Sequence, residues 1–161
     1  MNRANRIIFF VVLILGIALF IPWGKKTKLD LTFKHQATVF FQNDAEQNYA
    51  TFKVEVADTE EKQTQGLMHR TAMKADQGML FIMEEEEIHS FWMDETYLSL
   101  DVVFIDTNKE VVFIAKGTEP KSQEPIRSLS PSQYVLEIMA GTADQVGIKV
   151  GDQVSWEFIT E

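Results

Sequence analysis

Residues 66–106 read GLMHRTAMKADQGMLFIMEEEEIHSFWMDETYLSLDVVFID, and the fold turns on how this stretch is parsed. Met79 to Met83 is a continuous apolar run, the pattern of a strand buried on both faces. Glu84 to Glu87 interrupt it with four carboxylates, and Ile88 to Met93 resume the apolar character. Two apolar runs around a charged tip predict a hairpin. On a strand, Trp92 falls on the face opposite Phe91 and Met93. Val102 to Ile105 opens a second hairpin, returning through Val111 to Ala115 around the turn Asp106-Thr107-Asn108-Lys109. At the other end, Gly66 lies near the end of a short helix, and Thr71 to Gln77 reads as a connection with Gly78 as its turn.

Working outward, Thr51 to Ala57 sets Phe52, Val54 and Val56 against Lys53 and Glu55, the alternation of a half-buried strand. Asp58 with Glu61 three residues on predicts an N-cap and capping box, for a helix from Thr59 to about Met68. Ala37 to Phe41 is a possible first strand, followed by a polar turn over Gln42 to Asn48. Lys116 to Pro131 holds three of the four prolines, which excludes a central strand or helix interior and predicts a long surface excursion. Tyr134 to Met139 is a strand, Thr142 caps a helical turn ending at Gly147, and Val154 to Ile159 is the last strand. Seven or eight short strands without full crossover helices predict an all-β fold with small helices appended, a compact antiparallel sandwich or barrel-like domain.

The chain of 161 residues begins with a different kind of segment. Arg3 and Arg6 precede an uncharged apolar run from Ile7 to Ile21, with Pro22 and Trp23 at its exit and no small-x-small cleavage pattern. About 1.5 Å per helical residue makes this run shorter than a bilayer core, but Trp23 at the interface and snorkelling by Arg6 and Lys25 extend it. The division is therefore 1–24 as a membrane signal anchor or signal peptide, 25–50 as a linker with a possible first strand, and 51–161 as the folded domain. The expected location is a bacterial cytoplasmic membrane, single pass through residues 7–23, with the C-terminal domain outside, or secreted if the segment is cleaved. Beyond the apolar run, thirteen basic residues face twenty-four acidic ones, a balance of −11. That charge repels phosphate backbones and disfavours nucleic acid. A cationic ligand or partner fits it, as does solubility alone. There is no cysteine, which excludes disulfides and thiolate chemistry.

No catalytic constellation is legible. There is no Gly-x-Ser-x-Gly elbow and no phosphate-cradling glycine loop. His69 and His89 with Glu84 to Glu87 offer metal-ligating atoms, but their spacing matches no ligand pattern, and no metal or cofactor is assigned. Arg70 and Arg127 are the only arginines beyond the apolar run. Each either ties a loop to the sheet through a carboxylate or receives an anionic ligand. Asp101, between Leu100 and Val102 at a strand entrance, is either an acid–base group or a buried carboxylate accepting backbone N–H bonds. Trp92 either packs under the 116–131 excursion or lines a groove.

The blocks Gly66-Leu67-Met68-His69-Arg70, Gly78-Met79-Leu80-Phe81, Phe91-Trp92-Met93 and Leu100-Asp101 resemble, in order and spacing, the family called domain of unknown function 192. Tyr134-Val135-Leu136-Glu137, Gly141, Gly147 and Gly151-Asp152 resemble its closing half. The resemblance implies a compact all-β, sandwich-like domain over roughly residues 51–158, often exported or membrane-anchored, and brings no reaction, cofactor or substrate. Where the family usually reads Phe-Trp-Met-Lys-Asn-Thr, this chain has Asp94 and Glu95 before Thr96, and Ser99 replaces the usual proline before Leu100-Asp101. Arg70, Trp92, Thr96, Asp101, Arg127 and Glu137 are the candidate ligand-binding residues. The expected function is a membrane-anchored binding or accessory module of the cell envelope, with an unknown protein or small-molecule partner. The alternatives are an envelope hydrolase using Arg70, Asp101 and Glu137, and a purely structural module.

Overall fold

The computed structural model describes residues 31–160 apart from 44 and 46. The expected membrane segment lies outside them, and among the described residues no helix is long and apolar enough to cross a membrane. The described residues form β1 (Ala37–Gln42), β2 (Asn48–Ala57), α1 (Glu60–Gln65), β3 (Gln77–Glu87), β4 (Ser90–Phe91), β5 (Leu100–Ile105), β6 (Val111–Ala115), β7 (Ile126–Arg127), β8 (Ser132–Met139), α2 (Thr142–Val146) and β9 (Gln153–Phe158). The architecture is mostly β with two small helices, as the strand count predicts.

Seven strands form one sheet in the order β6-β5-β8-β3-β2-β1-β9, and β4 and β7 form a separate ribbon. The two edges of the sheet meet. Glu110 bridges Gln153, the Val154 N–H donates to the Lys109 carbonyl at 2.8 Å, and the Val111 N–H donates to the Asp152 carbonyl at 2.9 Å. Asp152 holds this corner by accepting from the Tyr49 hydroxyl and, at 2.7 Å, from the Lys149 N–H. Edge pairing of this kind removes exposed ladder groups and makes the sheet barrel-like.

Strand alternation then sorts the side chains onto two faces. The inner face packs Val39, Phe41, Phe52, Val54, Leu80, Val103, Leu136 and Ile138 into one core. The outer face of β3, β8 and β5 carries a second core built on Met79, Phe81, Val102, Phe104 and Val135, with Leu67, Met93 and Leu98 laid over it. The central strands are buried on both faces, which is why 79–83 reads as an unbroken apolar run.

Five local expectations are corrected. The sheet is not wholly antiparallel, because β2 and β3 pair in parallel from Lys53 with Gln77 to Ala57 with Phe81. The connection from Asp58 to Asp76 is long enough for a crossover and uses α1 to make it. The 79–83 and 88–93 runs do not form a hairpin: β3 continues through the exposed glutamates, and Ser90 and Phe91 pair with Arg127 and Ile126. The 116–131 excursion thus contributes a short strand of its own. Gly78 lies inside β3, not in a turn; a Cβ there would stand 2.5 Å from the Glu137 carbonyl oxygen, so β8 passes too close for any side chain. The N-cap of α1 is Thr59, accepting from the Lys62 N–H, while Asp58 pairs with the Lys62 ammonium at 2.6 Å. At α2, Gly141 in place of Thr142 occupies the N-cap.

Candidate functional site

Register on the outer face sets the floor of the site. Glu55, Met79, Glu137 and Val102 stand in one row across β2, β3, β8 and β5, so the Glu55 and Glu137 carboxylates share a face with Met79 between them. Phe81 is the diagonal neighbour of Glu137, paired with Val135. One wall above this floor is the end of α1. The Gln63 side-chain amide donates to the Ile82 carbonyl at 2.7 Å and holds the helix on β3. Gly66 terminates the helix with φ 45°, and Leu67 then turns into the outer core, 2% exposed.

The facing wall is 88–96. Phe91 stands edge-on between Phe81 and Phe104, at centroid distances of 5.1 and 5.8 Å. This aromatic contact fixes the segment on the sheet and turns Trp92 outward, where it is 56% exposed. The two walls are tied by the His69 N–H donating to the Glu95 carbonyl at 2.8 Å. Between them lies a pocket of about 200 Å³, lined by Gln63 to Met68, Phe81, Met83, His89 to Trp92, Thr96 and Glu137.

Glu137 is the chemically distinctive group in this pocket. It is 5% exposed, and no hydrogen bond or ion pair engages its carboxyl among the described residues. Burial pushes that carboxyl up to about 8, with no neighbouring charge contributing. A protonated carboxyl can donate one hydrogen bond and accept others. Among the described residues His89 is the only other titratable side chain on the lining; its Nε2 lies 3.2 Å from the Glu85 carbonyl oxygen.

Of the six candidate residues, the fold brings Trp92, Thr96 and Glu137 to this pocket. Thr96 is buried, its hydroxyl donating to the Asp94 carbonyl at 3.2 Å. Arg70 does not line the pocket. It is buried against the Glu55 carboxylate, the loop-to-sheet tie that was one of its two expected roles. Arg127 is exposed on β7 beside the Ser90 strand. Asp101 is on the inner face, fully buried, with one oxygen accepting from the Gly117 N–H at 2.9 Å and the other from the Ala143 N–H at 3.0 Å. Its carboxylate therefore holds the turn after β6 and the start of α2. The convergence of Arg70, Asp101 and Glu137 expected of a hydrolase is absent, because adjacent residues on β5 face opposite sides and Glu137 pairs with Val102. His69 and His89 also stay apart, each beside a different glutamate, and among the described residues no three ligating side chains gather for a metal ion.

Both Asp101 oxygens accept, so an amide of the same size cannot replace it: its NH₂ would meet one of the two N–H donors. Asp101→Asn is expected to cost about 1.5–3 kcal/mol of stability, read as a lower denaturation midpoint at unchanged m value. The sequence pointed to Glu137 but not to Gln63, whose only local signal is the Gly66 helix stop followed by Leu67-Met68.

The sequence profile of domain of unknown function 192, described as uncharacterized ACR, matches residues 41–156. A UPF0127 protein of Thermococcus sibiricus is 31% identical over 115 residues, covering 66% of this chain and 68% of that one. A UPF0127 protein of Pyrococcus furiosus is 29% identical over 109 residues, covering 65% and 86%. Two crystal structures are similar throughout the domain. A Sinorhizobium meliloti protein, provisionally described as a transcription regulator, superposes with TM-score 0.72 at 33% identity, over 78% of this chain and 95% of its own. A protein of unknown function from Novosphingobium aromaticivorans does so with TM-score 0.70 at 34% identity, over 74% and 84%.

Proposed function

The chain belongs to the domain of unknown function 192 family, and from that premise we propose that it is a membrane-anchored binding module of the cell envelope whose small ligand enters the Glu137 pocket. The observation that carries this reading is the buried carboxyl of Glu137, unengaged by any described residue at the floor of a mostly apolar pocket. Such a group weakens the fold and has value as a recognition point. Pockets of about 300 Å³ and above hold drug-sized ligands; about 200 Å³ suits something smaller.

The anchoring half of the proposal is supported by the uncharged run Ile7 to Ile21 behind Arg3 and Arg6. The regulatory role assigned to the S. meliloti protein has little support here, because a balance of −11 beyond that run opposes approach to DNA.

The test uses the full chain in a non-ionic detergent with ¹³C-labelled methionine methyls, screened against small amines, alcohols, amides and acids. Saturable shifts at Met68 and Met83, both on the lining, without conversion of the ligand, are expected. Absence of any such compound, or its hydrolysis by the chain, would refute the reading. For location, a C-terminal reporter enzyme that works only outside the cytoplasm is expected to be active.

A further inference from the structure

We infer that the Glu137 pocket selects a primary ammonium group carried on a short alkyl stem. The inference rests on the small-ligand reading above and narrows it to one chemistry.

Three observations point the same way. The floor offers one carboxyl, buried and unengaged among the described residues, on a face where the nearby Glu55 carboxylate is already held by Arg70. An ammonium is a compact charge that one carboxylate can engage. The apolar part of the lining, Leu67, Met68, Phe81, Met83 and Phe91, suits methylenes and raises the strength of a charge pair once water is excluded. The chain segments next to the lining residues are acidic. The exposed Glu84 to Glu87 lie between the lining residues Met83 and His89, and Asp94 and Glu95 lie between Trp92 and Thr96.

Among the described residues no lysine or arginine lines the pocket. Lys62 in α1 and Arg70 beyond its end are tied elsewhere, to Asp58 and Glu55. A field of this sign concentrates cations at the mouth and repels anions. Trp92, exposed at the rim, presents a ring face over which an ammonium can pass.

Binding moves one proton. The free pocket holds Glu137 protonated at neutral pH; the ammonium ligand pairs with the carboxylate, and the carboxyl proton leaves to solvent. The titratable groups around it are Glu55 with Arg70 across Met79 on the same face, and His89 on the facing wall.

The full 161-residue chain in non-ionic detergent is titrated with n-butylammonium, n-butanol, butyramide and butyrate, following the Met68 and Met83 methyl signals. Butylammonium is expected to bind about tenfold or more tighter than the other three at pH 8.5, with affinity rising up to about tenfold per pH unit from pH 6 to 8. Glu137→Gln is expected to lose both the preference and the slope. A slope that survives in Glu137→Gln overturns the proposal. Tighter binding of butanol, butyramide or butyrate overturns the ammonium assignment and leaves the small-ligand reading standing. If none of the four shifts these methyls, the ammonium assignment falls, while the wider screen above decides the small-ligand reading. Nα-acetyl-lysine methylamide separates two sources of the group: binding as tight as butylammonium supports a lysine side chain of a partner, and its exclusion supports a free small amine.

Discussion

Glu137→Gln is expected to be more stable than the parent chain at pH 8.5, by on the order of 4 kcal/mol, and to match it near pH 4. The folded-state carboxyl sits at about 8 against 4.5 for the free group, raised by burial. Below pH 4.5 the folded and unfolded chains both hold the proton, and the group contributes no pH dependence. Between 4.5 and about 8 the folded chain keeps the proton that the unfolded chain has released. Rising pH then favours unfolding, by at most about 1.4 kcal/mol per pH unit. Above about 8 the folded chain must hold a buried carboxylate, and the loss is complete. Glutamine has the same shape and no charge to bury, so its unfolding curve lacks this falling limb. Urea unfolding of both chains at pH 4, 6 and 8.5 measures the difference directly. Coincident pH profiles would show that the carboxyl is solvated in the folded chain, and would remove the basis of the proposed site with it.

Arg70→Met is expected to destabilise the chain by about 3–5 kcal/mol. Both side chains of the Arg70–Glu55 pair are almost fully buried, 8% and 9% exposed. Removing the guanidinium takes the buried cation from a carboxylate that stays desolvated, its Oε1 still accepting from the Lys34 N–H at 3.1 Å. The double substitution Arg70→Met with Glu55→Met is expected to recover most of the loss, since it removes the stranded charge and keeps the volume. Arg70 follows the α1 exit that walls the pocket, so the single variant also loosens the site. If Arg70 instead received an anionic ligand, the single variant would keep its stability and lose binding.

What could be read in advance was what is settled within a few residues. The β5–β6 hairpin was legible because its turn residues and β-branched arms are contiguous, and Lys109 takes the positive φ the turn requires. Trp92 is exposed while Met93 is buried, as alternation implied, although the strand expected over 91–93 ends at Phe91. One of the two roles open to Asp101, the buried acceptor, followed from its place between apolar strand residues. The membrane segment over 1–24 lies outside the described residues and stays an expectation from hydropathy.

Pairing across the chain was not legible. Nothing local distinguishes a turn glycine from Gly78, whose smallness is required by the backbone of β8 some sixty residues later. Nothing in 79–93 says that its second half leaves β3 to pair with β7. The amino-acid sequence by itself determined the family, the all-β class, the two-sided burial of 79–83 and the acidic balance, because composition, periodicity and motif spacing are properties of neighbours. Only the tertiary structure decided that β2 and β3 run parallel, that Asp101 faces the inner core while Glu137 faces the pocket, and that Glu137 stands unengaged there. Those outcomes depend on strand register, and register is fixed by which faces of distant strands bury together.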